Sequence, residues 1–493
     1  MKPQDAYLLI EKYFEENSFV ASTIESFNEF VSKELQNIID ENKFIEPTIL
    51  PPNVESYKIR FDRVLVGKPE IIEADGSRRI IFPAEARLRK LTYAAPIFLE
   101  ISTIINDIQR ETTTIQICNL PIMLKSKYCN LYGLSDEELI EKGEDPRDVG
   151  GYFIINGTER VLVTLEDLAP NRFIVEEEPG SKFVGKIFSE RGPYKIPHTL
   201  EKLKDGILSM TWTRIKRAPV LILIKALGLI RDEEIVKAIS EEKQYDEILI
   251  NLFEFAEIKK QEDALDWLAR AALIPFPKEE RIVRMEEMLD KYFLPHVGIT
   301  KEVRIAKAIN LCKLIRKFLA VVNGEINSDD KDHYSNKRLK MAGESLIDLF
   351  RTNFKVLIND MLYNFQRLVK RGKFPLVKMI VREKLLTNRI YSAMATGNWV
   401  AGRKGISQRL QRLNFLNLVS HLQRVVSPLS TEQENFSARE LHPTQWGRLC
   451  PNETPEGISI GLRKNLALLA YVTREIPEEE VLVALKNAGM QPI

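Results

Sequence analysis

The hydrophobic period changes along this chain, and the change decides its fold class. Through residues 3–42 the apolar positions recur at helical spacing: Ala6, Leu9, Ile10, Tyr13 and Phe14, then Phe27, Phe30, Val31, Leu35 and Ile38. Between about 56 and 118 the period drops to two in YKIRFDRVLVG and RRIIFPAEARLR, which predicts strands. LTYAAPIFLEISTIIND and TTTIQICNLPIML follow in the same style. Long blocks of both periods predict an α+β, multidomain protein. At roughly 100–200 residues per domain, 493 residues leave room for about three domains.

With 29% charged and 44% hydrophobic residues, the chain reads as a globular protein rather than a disordered one. No run reaches the roughly 18 apolar residues of a membrane span. The nearest, Ala218–Ile230, is broken by Lys225 and reads as fully buried strand or helix. The N-terminal MKPQDAYLLIEKYFEENSF lacks the apolar core of a signal peptide, so a cytoplasmic location is expected. Cys118, Cys129, Cys312 and Cys450 show no CxxC spacing, and no His stands at zinc-finger distance from them. They read as free thiols in a reducing compartment.

The net charge of +1 conceals a strong polarity. From Arg367 to Arg424 there are thirteen Lys/Arg against the single Glu383, a local net of +12, so the remainder carries −11. Arg231–Asp290 has the opposite bias, with seventeen Asp/Glu against nine Lys/Arg. A neutral chain polarised in this way suggests a basic surface for a polyanion on an acidic scaffold, or else a solvated basic helix face.

Local signals place the elements between these blocks. LSDEELIEKGEDPRDVGG is a short helix with Ser135 as N-cap, and GGYFIINGTERVLVTLEDL is two strands around an Asn156-Gly157 turn. A second unit begins near Asn171. It has strands FIVEEEP, KFVGKIFSE, GILSMTWTRI and APVLILIKAL, then acidic helices from about 232 to 321. Asn323–Asp332 is a polar break. Helix returns over roughly 343–393, and 394–475 reads as loops held on a helix.

Familiar catalytic motifs are absent or lack context. Gly372-Lys373 is followed by Phe374, not by the Ser/Thr of a phosphate loop. Gly457-Ile458-Ser459-Ile460-Gly461 fits GxSxG, but Pro455-Glu456 precedes it and the last His is His442, so it reads as coincidence. The five His (198, 296, 333, 421, 442) show no metal spacing. Asp329, Asp330 and Asp332 are the tightest acidic cluster, but Lys331 and Lys337 beside them favour a solvated loop.

The informative stretch is 393–465. AMATGNWVAGRKG holds three Gly, Trp399 as an exposed-type aromatic, and adjacent Arg403-Lys404; such a loop can approach phosphates closely. ISQRLQRLNFLNLVSHLQRVV (406–426) is predicted as one amphipathic helix. Its core stripe is Ile406, Leu410, Leu413, Leu416 or Leu418, Leu422 and Val425, and Arg409 and Arg412 share a face. Gln408, Gln411 and His421 add groups able to reach bases or sugars. PLSTEQENFSAR (428–439) is a polar loop. ELHPTQWGRLCPNETPEGISIGLRKNLALLA is dense in Pro, Gly and acids in no periodic order, the mark of a close-packed loop with a specific task.

Arg439–Ala470 resembles the signature region of RNA polymerase β-type subunits: His442-Pro443-Thr444, Trp446-Gly447-Arg448, Cys450-Pro451 and Glu453-Thr454-Pro455-Glu456-Gly457. Upstream, Ser407-Gln408 and His421 fall at the spacing of the bacterial rifamycin-pocket segment. ATGNW (395–399) is similar to the archaeal and eukaryotic first fork loop. DVGGYFIINGTERVLV and DKDHYSNKRLKMAGE resemble two further blocks in the family's order.

The resemblance implies a protrusion (1–172 and 345–393), an inserted lobe (173–344), a loop-rich fork (394–475) and the start of an external domain (476–493). A family subunit is about twice as long, which implies a split gene or a truncated chain; the archaeal or eukaryotic style of ATGNW and DHYSNKRL, with a Lys/Glu/Ile-rich composition, favours the N-terminal half of a split archaeal subunit. The implied partners are the complementary C-terminal half, the largest subunit, other polymerase subunits, DNA and RNA, with no membrane. The implied reaction is template-directed nucleotidyl transfer to the RNA 3′ end. No cofactor is expected on this chain, since the family's catalytic Mg2+ lies on an Asp triad of the largest subunit. Gln408, Arg409, Arg412, His421 and Arg424, with Arg403 and Lys404, are the implied nucleic-acid contacts. The loop 428–439 is the second fork loop near downstream strand separation, and Arg448 and Glu453 brace the site. Gln411 and Val426 replace a pocket Asp and Ser, which implies insensitivity to rifamycins. Gln423 stands where relatives carry Arg, which leaves a hybrid contact there unassigned. Rival readings are a stand-alone nucleic-acid-binding scaffold and a metal-dependent nuclease using Asp329–Asp332.

Overall fold

A computed structural model describes residues 3–490 except 53, 179, 181, 193, 214, 241–244, 475 and 477. Positions 475, 477 and 491–493, within or beside the expected external segment, lie outside the described residues. So do 214 and 241–244, inside the strand and helix readings of the second unit. The chain divides into two compact units, one of 1–167 with 339–493 and one of 168–338.

The first unit is built on a four-stranded antiparallel sheet, ordered Phe44–Ile45, Tyr57–Val66, Ala94–Ile105, Ile108–Pro121. Alternation on the second strand buries Tyr57, Ile59 and Phe61. Helical segments between Ala21 and Asp40 and the helix Ala342–Lys370 cover that face. Leu346, Leu349, Phe350, Phe354, Leu357, Met361 and Phe365 form the apolar stripe of the long helix. Phe354 meets Phe61 with ring centroids 5.6 Å apart, and Phe350 meets Phe30 at 6.4 Å. The helix start is fixed by Glu344, which accepts from the Met341 N–H at 2.8 Å, and by Ser26, whose hydroxyl accepts from the Gly343 N–H at 2.8 Å. The helix Glu383–Thr396 then packs on the last strand, where Thr387 Oγ1 accepts from the Asn119 N–H at 2.9 Å.

Two small sheets carry 394–475. One has the order Ser407–Arg409, Thr158–Leu162, Phe153–Ile155; in the other, Arg424–Val426 lies between Thr164–Leu168 and Arg463–Asn465. The 153–162 hairpin turns at Asn156 (φ 49°) and Gly157 (φ 73°), both left-handed, which is the geometry that selects Asn-Gly. Ser135 caps its helix through a complete capping box with Glu138.

The second unit is a five-stranded antiparallel meander, Ile174–Glu178, Lys182–Arg191, Tyr194–Lys202, Leu208–Trp212 and Ile215–Pro219. Helices follow from Val220 to Val322. The reading of APVLILIKAL as a strand is corrected: Val220–Ala226 is a helix buried on all sides, and a run apolar all round carries no period to tell the two apart. Lys225 is buried with it, and its ammonium is satisfied by the Ile258 carbonyl at 2.9 Å and Asp232 at 3.0 Å. The Asp329–Asp332 carboxylates diverge. Asp329 pairs with Lys317 (2.7 Å) and accepts from the Val175 N–H (2.9 Å), and Asp332 pairs with Lys337 (3.0 Å). Among the described residues no helix is long and apolar enough to cross a membrane.

Candidate nucleic-acid interface

Segment 406–426 is not one helix. Ser407–Arg409 is a strand paired with 158–162, and Arg424–Val426 is a strand paired with 164–165 and 463–465. Only Phe415–Leu422 is helical, capped by Asn414, whose side chain accepts from the Asn417 N–H. Ile406, Leu410, Leu418, Leu422 and Val425 are buried, but Leu413 and Leu416 are 87% and 78% exposed. Three-residue strands leave too little sequence to show a period, and their partners at 160–162 and 164–165 lie roughly 250 residues away. Trp399 is also corrected. It is buried, and its indole N–H donates to the Ser345 carbonyl at 2.9 Å. It anchors the Gly-rich loop instead of facing a ligand.

This folding brings Gln408 and His421 together. The Gln411 N–H donates to His421 Nδ1 at 3.1 Å, so the neutral ring carries its proton on Nε2 and donates to Gln408 Oε1 at 3.1 Å. The Gln408 amide then donates to the Gly405 carbonyl at 3.0 Å. Burial, with Arg424 and Arg463 nearby, pushes the His421 pKa down to about 4. His421 is therefore a neutral orienting group at physiological pH.

Arg412 is committed to a carboxylate network. Its guanidinium donates to Glu159, to Asp148 at 2.7 Å and to Tyr152 Oη at 2.7 Å, and it lies over the Tyr152 ring. Arg87 reaches the same Glu159 (2.7 Å) and Tyr152 (2.8 Å), and pairs with Glu144. Burial works against the charged Arg412, but Tyr152, Glu159 and Asp148 outweigh it and hold its pKa above the ordinary arginine value. Arg403 is likewise paired, with Asp167 at 2.7 Å.

The loop after this segment is held by Arg, Thr and Glu side chains. The Ser420 hydroxyl donates to Glu453, and Asn465 Nδ2 donates to the Ser420 carbonyl at 2.7 Å. Thr454 Oγ1 accepts from the Gly461 N–H and donates to the Arg463 carbonyl, each at 2.9 Å. Arg439 donates to the carbonyls of Ile458, Ile460, Thr431 and Gln433. Gly461 has φ 72°, and a Cβ there would lie 2.2 Å from the Arg439 carbonyl oxygen. Arg448 is exposed and donates to the Thr444 carbonyl at 3.1 Å. Gln423 donates to the Phe19 carbonyl at 3.0 Å.

The cations left over define the surface. Among the described residues Lys404, Arg409, Arg424, Arg160 and Arg463 form no salt bridge. Arg424 is half-buried, and burial and then Arg463 lower its pKa. Arg403, Lys404 and Arg463 line a cleft of about 420 Å³ with Gly402, Gly405 and Ser427. Periodicity could not have singled out Arg160 or Arg463, because each matters only through a neighbour supplied by a distant strand. The Arg87–Glu159–Arg412 network was invisible for the same reason.

The family model described as RNA polymerase beta subunit matches residues 18–388, and the one described as RNA polymerase Rpb2, domain 3, matches 408–472. The chain belongs to the RNA polymerase beta subunit family. It is 45% identical to the DNA-directed RNA polymerase subunit Rpo2N of Methanocaldococcus jannaschii, over 98% of each chain. It is 39% identical to the Rpo2N of Halobacterium salinarum, over 100% of this chain and 97% of that one. Against subunit Rpo2 of Saccharolobus solfataricus it is 43% identical over 99% of its own length but 44% of the relative's. This β-family chain thus corresponds to the N-terminal half of the second-largest subunit, the half that is a separate chain in the Rpo2N relatives.

Proposed function

We propose that this β-family chain positions template DNA and the RNA–DNA hybrid in DNA-directed RNA polymerase, while nucleotidyl transfer to the RNA 3′ end occurs on a partner. The observation that carries the reading is the division of its cations. Arg87, Arg403 and Arg412 are neutralised within the fold, whereas Lys404, Arg409 and Arg424 keep their charge for an external anion. Phosphate contacts of this kind hold nucleic acid without reading sequence, as a polymerase requires. Gln408, its amide oriented by His421 and Gly405, keeps one N–H for a base or sugar. Arg412 acts by bracing the strand that carries Arg409. Glu453 braces the 415–422 helix through Ser420, and Arg448 braces its own loop.

In this reading 1–172 with 345–393 is the protrusion, 173–344 the lobe, 394–475 the fork with 428–439 as its second loop, and 476–493 the start of the external domain. Partners are the complementary C-terminal half and the largest subunit, acting on cytoplasmic DNA. Among the described residues no group of three His, Cys, Asp or Glu could hold a metal ion. The donor set here does not fit the catalytic Mg2+, which the reading assigns to the largest subunit, and no step on this chain is drawn through it.

The test is affinity recovery of this chain from its native cell extract, with bound proteins identified by mass. Stoichiometric recovery of a large subunit and of the complementary half supports the reading. Recovery of the chain alone, still binding nucleic acid, replaces it with a stand-alone scaffold.

A further inference from the structure

Arg160 and Arg409 stand directly opposite each other on antiparallel strands. The Leu410 N–H donates to the Glu159 carbonyl, and the Val163 N–H to that of Ile406. The intervening Arg160–Arg409 pair is therefore a non-hydrogen-bonded one, the kind whose side chains approach most closely. Like charges directly opposite destabilise a sheet. Among the described residues neither guanidinium forms a salt bridge. The adjacent Glu159 cannot relieve them, because Arg87 and Arg412 occupy its carboxylate. Burial and then Arg409 push the Arg160 guanidinium below its ordinary pKa. Arg409, though not Arg160, also lines a cavity of about 570 Å³ with Thr158 and Leu410; the carboxylates on its wall include Glu144, Asp148 and Glu159, which are paired with Arg87 and Arg412. Two arginines rooted directly opposite each other, without salt bridges and partly open to solvent, match one tetrahedral oxyanion.

We propose that Arg160 and Arg409 together grip a single phosphodiester of the nucleic acid held by 394–475. This rests on the nucleic-acid reading above and adds to it Arg160, from a different part of the chain, and a stoichiometry of two cations to one phosphate. The phosphate belongs either to the RNA or to a DNA strand, and the two sources can be separated.

The test uses polymerase assembled with this chain on a template DNA–RNA scaffold, carrying Arg160→Gln, Arg409→Gln or both. Complex stability is followed against salt, with Lys404→Gln as a separate probe of the wider reading. A shared phosphate keeps one guanidinium in each single variant, so each single should lose little slope, and the double variant should lose about 0.7–0.9 in log K against log salt, once. Stability at fixed salt should fall roughly five- to tenfold in the double variant. Arg409→Lys should keep the slope but not the full stability. A methylphosphonate placed singly along the RNA, or along the DNA, should reproduce the loss at one position and add nothing in the double variant; the strand in which it does so names the source. Melting of the free variants should stay level or rise, since repulsion is relieved. An unchanged slope in the double Arg variant with a reduced slope in Lys404→Gln would overturn the clamp and leave the wider reading standing. Unchanged slopes in all would overturn both. A double variant losing about twice the slope would mean two separate contacts and refute the shared phosphate.

Discussion

The buried ion pair Lys464–Glu166 is expected to be the most sensitive polar contact in the first unit. Its side chains are 8% and 2% exposed, and Lys464 Nζ donates to both carboxylate oxygens at 3.1 and 3.0 Å. Lys464 and Thr164 both face Val425, so the pair reaches across the strand that carries Arg424. Lys464→Met takes from the buried Glu166 carboxylate a cation that binds both its oxygens, which costs about 3–5 kcal/mol. The unit has roughly 320 residues. At about 2.1 cal/mol/K per residue its unfolding entropy is near 0.7 kcal/mol/K, so the melting temperature should fall by about 6 °C. Glu166→Leu with Lys464→Met removes both charges and should recover part of that loss. Calorimetric melting of the purified chain measures all three. A single variant within about 1 kcal/mol of the parent, or a double variant no better than the single, would refute the claim that desolvation dominates here.

Gly461→Ala places a Cβ against the Arg439 carbonyl at positive φ; a loss of at least about 2 kcal/mol and faster proteolysis in 428–462 are expected. His421 has a folded pKa of about 4 against an ordinary 6.5, so protonation opposes the fold. Its contribution is complete above pH 6.5 and falls by about 3 kcal/mol as the pH drops to 4. In His421→Gln the difference from the parent should vanish at low pH and grow above it, as read by denaturant melts across pH 4–7. Arg412→Lys keeps the charge but cannot span Glu159, Asp148 and Tyr152 together; a loss of about 1–2 kcal/mol is expected in the same melts.

Elements set by local chemistry were legible in the sequence. The Ser135 cap, the Asn156-Gly157 turn and the long strands 94–105 and 108–121 follow from neighbouring residues alone. The strand Tyr194–Lys202 escaped notice because Pro197 and its charged neighbours mask the alternation. The 406–426 segment failed for another reason. Ile406, Leu410, Leu418, Leu422 and Val425 are buried as a helix would require, but two short strands and one helix give the same spacing. The candidate site was legible as a list of cations and amides, not as a set of partnerships. The neutralisation of Arg403 and Arg412 depends on Asp148, Glu159 and Asp167, which lie more than 200 positions away in the sequence.

The central claim is that the unpaired cations and Gln408 face nucleic acid during transcription. A photo-crosslinking amino acid at position 404, 408 or 424, in polymerase assembled on a template DNA–RNA scaffold, tests it directly. Crosslinks to RNA or template DNA at all three positions, with the RNA adducts lost when RNA is omitted, are the result expected. Crosslinks to protein alone, in a complex that still extends RNA, would contradict it.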